Sequence, residues 1–291
     1  MKHLLFILLL SYLTMSCQKS KENTDTSESK AFAAQRDNFF KNLTEPAQAA
    51  AQIQATAADF DASLMSNPAN YASYTGNPTK AAANLGIYLS DLNYSIAFSQ
   101  PATTKEHFKA AHELSKAIGI ETDILDFLNT RYAENIAQND SVKTVVTDLM
   151  MKSTQDLQGT DREALAGIAM SAYQIENLHL ALGTILSYPK DILPEDARTV
   201  ILVPLFKMVL GQRNNVVMID EFLRTLNDPK NPNANYTYYM NAFDELIAIY
   251  DRLNVDEKIA NNQGVELMND AVVLELNEKV NAIRSKILSS E

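Results

Sequence analysis

Tryptophan is absent from this chain, cysteine occurs once, and glycine and proline number only 8 and 9 among 291 residues. One cysteine excludes an internal disulfide, so cysteine pairing gives no clue to the compartment. Scarce breakers beside plentiful Ala, Leu, Asn and Gln disfavour a strand-rich fold and favour helices. Positive charge is also in short supply: 25 Lys and Arg stand against 36 Asp and Glu, a formal net charge of -11. With no basic stripe to offset that excess, phosphate backbones repel the chain, and nucleic acid is not expected as a partner. Adsorption of the folded part to anionic lipid is disfavoured for the same reason. There is no Gly-x-Ser-x-Gly, no glycine-rich phosphate loop and no dinucleotide fingerprint. With 4 histidines in all, acid–base schemes would rest on carboxylates, and the sequence picks out no pair of them. Binding or scaffolding, rather than enzymatic catalysis, is the expectation.

What is present begins at the amino terminus. Lys2 and His3 precede an apolar run, Leu4 to Leu13. That run has signal-peptide length and falls short of the ~20 residues a spanning helix needs. Ser16 sits directly before Cys17, and "QKSKENTDTSESK", Gln18 to Lys30, follows without one apolar side chain. A core thiol needs apolar neighbours, and Cys17 has none on that side. Ser16 and Thr14 would also suit plain secretory cleavage. The stretch resembles a bacterial lipoprotein signal, which is cut just before a cysteine that carries a diacylglyceryl group. Thr14 stands where the usual Leu falls and Leu13 one place further out; relaxed versions of this kind are familiar in Bacteroidota. The resemblance implies a signal peptide over 1–16, a lipidated Cys17 with a flexible tether over 17–30, and a folded domain over 31–291. Removing 1–16 takes away Lys2 and no acid, which brings the mature charge to -12. Acyl chains, palmitate among them, would anchor the protein at ~0.8 kcal/mol per buried CH₂. The tether cannot bury enough surface to fold and reaches roughly 40 Å when extended. Gln18, rather than Asp, after the cysteine implies the outer membrane; Lys19, Lys21 and Glu22 leave periplasmic against surface exposure open. The partners implied are the membrane, through the anchor, and other envelope proteins.

From Ala31 onward the apolar spacing is helical, and no segment shows strand alternation. Helices are predicted over Ala31–Leu43 and from a Thr44 cap, with Pro46 in its first turn, to about Met65. Asn67–Pro78 reads as a turn-rich loop. Helices follow over Thr79–Phe98, from a Thr103 or Thr104 cap to Ile118 with Gly119 as its stop, and over Thr122–Gln138, Ser141–Leu157 and Asp161–Leu186. Glu195–Leu210, kinked at Pro204, continues as Gln212–Leu226; Tyr236–Leu253 and Val265–Leu288 complete the set. The expected fold is all-α, an irregular antiparallel bundle or array of about nine to eleven helices. Leu85, Gly86, Tyr88 and Ala97 stand in an order similar to a tetratricopeptide helix pair, but the pattern does not recur at about 34 residues. In layout the chain resembles the helical lipoproteins common in Bacteroidota, which implies no activity. Val200–Leu210, "VILVPLFKMVL", is apolar on nearly every face; too short to span and carrying Lys207, it reads as a central core helix.

Four residues are candidates for ligand binding: Asp91, Tyr88, Glu176 and His179. Asn84, Tyr88, Asp91 and Ser95 share one face of a helix that is otherwise apolar around most of its circumference. They would line a polar pocket or form a thin solvated stripe. Glu176 and His179 form Glu-x-x-His, half of the motif pair that builds the di-iron centre of ferritin-like bundles. A second copy is missing, so no metal and no other cofactor is expected. The apolar stripe Leu165, Ile168, Ala172, Ile175, His179, Leu182, Leu186 places His179 in the buried seam and Glu176 at its margin. The ordinary reading is a core histidine whose ring nitrogens meet a carboxylate or carbonyl. His107 and His112 are five apart and do not match the zinc-binding His-Glu-x-x-His. The Gly-x-His-x-x-Glu motif of imelysin-type proteins does not occur. Tyr236, Tyr238 and Tyr239 would stack on a sugar or partner, or pack at a helix end.

Overall fold

A computed structural model describes residues 59–120, 139–160, 162–187, 195–227, 232–261 and 270–289, with isolated positions elsewhere; for part of 139–148, 195–210 and 255–259 it describes the backbone alone. Two 3-10 turns, Ala62–Leu64 and Pro68–Ser73, lead into α1 (Pro78–Ala97), α2 (Pro101–Ala117), α3 (Asn139–Leu157), α4 (Glu163–Ser187), α5 (Glu195–Leu226), α6 (Ala234–Leu253), the short α7 (Val255–Ala260) and α8 (Ala271–Leu288). The fold is all-α, and no strand occurs among the described residues. The helix expected from Thr44 to about Met65 is described from residue 59 on, and there it is absent: 59–61 are non-helical chain and Ala62–Leu64 a 3-10 turn. Its earlier part, most of the helix expected over 122–138, and the Cys17 region lie outside the described residues.

Local chemistry sets most helix ends. Asn77 accepts hydrogen bonds from the Thr79 and Lys80 amides at 3.0 and 3.2 Å, and Pro78 occupies the first helical position of α1. Asn233 and Asp270 cap α6 and α8 in the same way. α2 starts at Pro101, earlier than expected. Thr104 is not its cap but is buried within it, donating to Ser95 Oγ at 3.0 Å. Its end is the expected glycine stop: Gly119 has φ 70°, its N–H donates to Lys116 O at 3.0 Å, and the Ile120 N–H donates to Ser115 O at 3.0 Å. α5 runs without a break from Glu195 to Leu226, joining the expected Glu195–Leu210 to its continuation over Gln212–Leu226.

The centre of the bundle is the α1–α4 pair, not the 200–210 segment. α1 packs on α2, α3 and α4; α4 packs also on α3, α5, α6 and α8. Residues 81–95 of α1 and nearly all of 165–185 of α4 are buried, so both helices are covered all round. Among the described side chains of 200–210, Phe206 and Val209 are buried, Val203 is half-buried and Lys207 is exposed. No helix among the described residues is long and apolar enough to cross a membrane. Small residues make the central contact possible. A Cβ on Gly86 would lie 2.1 Å from the Ala169 carbonyl oxygen and 2.8 Å from the Tyr173 amide of α4. The two backbones meet at Gly86, and neither can shift without repacking the core.

That contact separates two glycines with the same helical conformation. Gly86→Ala is expected to destabilise the protein by about 1–3 kcal/mol through overpacking. Gly211→Ala, which meets nothing within 4 Å, should stabilise it by up to about 1 kcal/mol through helix propensity. Urea denaturation of the two variants beside the parent measures both.

Candidate functional site

The four sequence candidates converge on one buried polar cluster beneath residues 61–74. α1 contributes Asp91 and Tyr88, α2 contributes His107, α4 contributes Glu176 and His179, and α8 contributes Arg284. Asp91 and Glu176 have no exposed surface, which removes the solvated-stripe reading for Asp91; Asn84, Tyr88 and Ser95 on the same face are buried with it. On α4 the expected order is reversed. Glu176 is buried and His179 is half-buried. The reason is α8: it covers the Glu176 side of α4 and brings a guanidinium there.

Arg284 grips Glu176 with both prongs of its fork: Nε donates to Oε2 at 2.6 Å and Nη2 to Oε1 at 2.9 Å. Nη2 also donates to Leu64 O at 3.1 Å. Asp91 Oδ2 accepts the Ser66 N–H at 2.9 Å and the Ser66 hydroxyl, and stands 3.6 Å from His107 Nε2. The Tyr88 hydroxyl donates to Asn67 O at 3.0 Å, and the Asp61 N–H donates to the Tyr94 hydroxyl at 3.2 Å. Six helix side chains therefore hold the main chain of 61–67, a segment whose 3-10 turns contain no buried residue of their own. Leu64 lies against Gly183 of α4, and directed hydrogen bonds hold the main chain around it.

The titrations follow from burial and neighbours. Burial pushes the Glu176 carboxyl well above the usual carboxylate range, and the Asp91 charge adds to it; Arg284 opposes both without cancelling them. His107 loses affinity for its proton by burial and regains more from Asp91 and from the carbonyls of Thr103 and Ser66, so its net shift is upward. His179 is pulled down by burial and by the Arg284 charge. Nε2 of His179 lies 2.9 Å from Leu64 O and Nδ1 lies 2.7 Å from Asn281 Oδ1; a neutral ring donates from Nε2 and accepts at Nδ1 once the Asn281 amide is turned to present its N–H. Those partners are a carbonyl and an amide, of the kind expected for a core histidine. Burial also holds the Tyr88 phenol above its ordinary value, so its hydroxyl stays a donor.

A second layer secures the end of α8. Asn84 Nδ2 donates to Ile287 O at 3.2 Å and the Tyr74 hydroxyl to Leu288 O at 2.9 Å, which satisfies carbonyls left over at the helix terminus. Ser90 on α1 donates to Asn177 on α4 at 2.7 Å.

Sequence reasoning did not single out Ser66 or Arg284, and it read His107 only as a failed zinc ligand. Two signals were available. His107 belongs to a three-and-four stripe with Thr104, Ala111, Leu114 and Ile118, all buried. Arg284 sits one turn after Val280 and beside Ile283, both buried, on the seam of α8. The tyrosine cluster packs internally: Tyr236 and Tyr239 are buried, and Lys286 Nζ lies 3.7 Å from the Tyr238 ring centroid. His112 is apart from the cluster, its Nδ1 3.9 Å from Asp123 Oδ1. No grouping of three or more His, Cys, Asp or Glu suited to a metal occurs among the described residues. An open groove of about 480 Å³ lies between α6 and α8, lined by Glu245, Ile249, Arg252, Glu275, Glu278 and Lys279. Ion pairs Arg252–Glu275, at 2.6 Å, and Lys279–Glu245 cross it. No protein-family model, curated protein or solved structure matches the chain.

Arg284→Met should cost about 3–5 kcal/mol, because Glu176 and Asp91 would stay buried without their guanidinium; the urea midpoint reports it. The raised Glu176 value fixes a sign as well. Stability from this group is fully present below its unfolded value, near 4.5, and is lost as pH rises through the folded value. Glu176→Gln cannot titrate, so any fall in the parent's melting temperature between pH 5 and pH 8 should flatten in the variant, while the loss of the carboxylate that holds Arg284 should lower its melting temperature at pH 5.

Proposed function

We propose that this chain is a lipid-anchored protein of the bacterial cell envelope, held at the outer membrane through Cys17, whose helical body binds other envelope proteins. The observation that carries this reading is the Leu4–Lys30 pattern: an apolar run of signal length, Ser16 before a lone cysteine, then a stretch that cannot fold. The interaction role draws support from the way the candidate residues are engaged. Asp91, Tyr88, Glu176 and His179 have their main hydrogen bonds with Ser66, Asn67, Arg284, Leu64 and Asn281. Their chemistry serves to build the body, and this reading assigns recognition to its outer surface.

Cys17→Ala tests the anchor. The parent should incorporate a labelled fatty acid and sediment with membranes, while the variant should do neither. Unchanged labelling of the variant would overturn the assignment. For the interaction role, in-cell crosslinking of the anchored protein should give a discrete adduct with an envelope protein, absent on deletion of that partner.

A further inference from the structure

The ring of His107 has a main-chain carbonyl at each nitrogen, and unlike the Asn281 amide beside His179 neither can be turned to present a donor. Nδ1 lies 2.9 Å from Thr103 O and Nε2 lies 3.2 Å from Ser66 O, and both partners are carbonyl oxygens. A carbonyl only accepts, so both contacts are hydrogen bonds only if both ring nitrogens carry hydrogen. A neutral ring would point a lone pair at one of the two oxygens in a buried site, with the cost of an unmade hydrogen bond added to that repulsion. Asp91 Oδ2, 3.6 Å from Nε2, supplies the countercharge.

The surroundings on every packed element bear on the same proton. α1 presents Asp91 and the Tyr88 ring, whose centroid is 5.9 Å from the His107 ring in an edge-on arrangement. α4 presents Glu176 behind Asp91, and α8 presents Arg284 bound to Glu176. The 61–74 segment brings the Ser66 carbonyl, N–H and hydroxyl. On α2 itself the charged neighbours Lys105, Glu106 and Lys109 are exposed. The nearest charge is therefore negative, and the nearest cation is already paired with Glu176.

We propose that His107 is a proton-operated latch for residues 61–74: doubly protonated, it ties Ser66 to Thr103 and Asp91, and loss of one proton releases the segment from the helices. Deprotonation breaks one of the two carbonyl contacts and leaves Asp91 buried without its partner imidazolium. Tyr74 anchors the far end of the segment in the core, but in 61–67 the larger apolar side chains, Leu64 and Met65, are only half-buried, so this stretch opens locally before the bundle does. Opening uncovers the cleft between α1, α2, α4 and α8, with the Arg284 guanidinium, two imidazoles and two carboxyl groups in it. The direction is fixed by the geometry: the latch is closed at acidic pH and opens on the alkaline side of the histidine's ordinary range. This device does not depend on the lipid anchor or on a partner.

Two measurements on the full chain test it. In ¹⁵N-histidine spectra, both His107 ring nitrogens should be protonated at pH 6, with a titration midpoint above 6.5. Hydrogen exchange, corrected for intrinsic rates, should show protection of the Ser66, Asn70 and Tyr74 amides falling between pH 6 and pH 9. The fall should be about tenfold for each unit by which that midpoint exceeds 6.5, while α4 amides stay protected. His107→Gln, which cannot titrate, should show a flat profile in the segment; the two measurements on the parent stand without it. A midpoint at or below 6.5, a single protonated ring nitrogen at pH 6, or segment protection that tracks α4 across the range would each overturn the proposal.

Discussion

Burying two carboxyl groups side by side where four helices meet is unfavourable unless cations and donors come with them. Asp91 and Glu176 are placed so, and the remainder of the molecule is arranged to permit it. Arg284 has to reach in from α8, which fixes the rotation of that helix about its axis and its position along α4. His107 has to face inward from α2. Asn84 and Tyr74 then satisfy the end of α8 at the position where Arg284 requires it. A buried ion pair of this kind adds little net stability, since desolvation offsets most of the attraction. It penalises every arrangement in which one partner is missing, and so acts as a registry device among helices whose apolar faces would otherwise tolerate sliding.

The same groups hold the 61–74 segment. A chain crossing a helical surface must satisfy its own amides and carbonyls, and water does this for most loops. Here Arg284, His179, His107, Tyr88, Tyr94 and Asp91 do it. The segment is thus coupled to the ionisation of the core. Ordinary surface loops have no such coupling, because their hydrogen bonds are to solvent and insensitive to a buried proton.

Hydrophobic packing and the polar cluster share the same two helices without conflict. The Gly86 contact lets α1 and α4 approach closely at one point. Farther along α1, the Asp91 carboxyl is covered by the 61–74 segment and that of Glu176 by α8. A lipid anchor at Cys17, as proposed, would place this body on a leash without imposing anything on its interior. Placement in the envelope and internal construction are separate layers of the design.

The all-α class was legible in the sequence, because 3.6-residue apolar spacing and scarce breakers act locally and independently of the fold. So were the start of α1, expected at Thr79 and found one residue earlier, and the Gly119 stop of α2, which depend on one or two residues. The candidate site was half legible: a carboxylate at 91 inside an apolar helix, and Glu176 with His179 inside another, each stood out against their own surroundings. The sequence could not show that these belong together. It read Glu176 as marginal and left Asp91 between a polar pocket and a solvated stripe, since periodicity along one helix does not say which neighbour covers each face. It did not single out Arg284. Only the tertiary structure decided that α8 lies over Glu176 and that the 61–74 segment lies over Asp91. Burial, countercharge and the proton on His107 are properties of groups brought together from residues as far apart as 64 and 284, and no local pattern encodes that meeting.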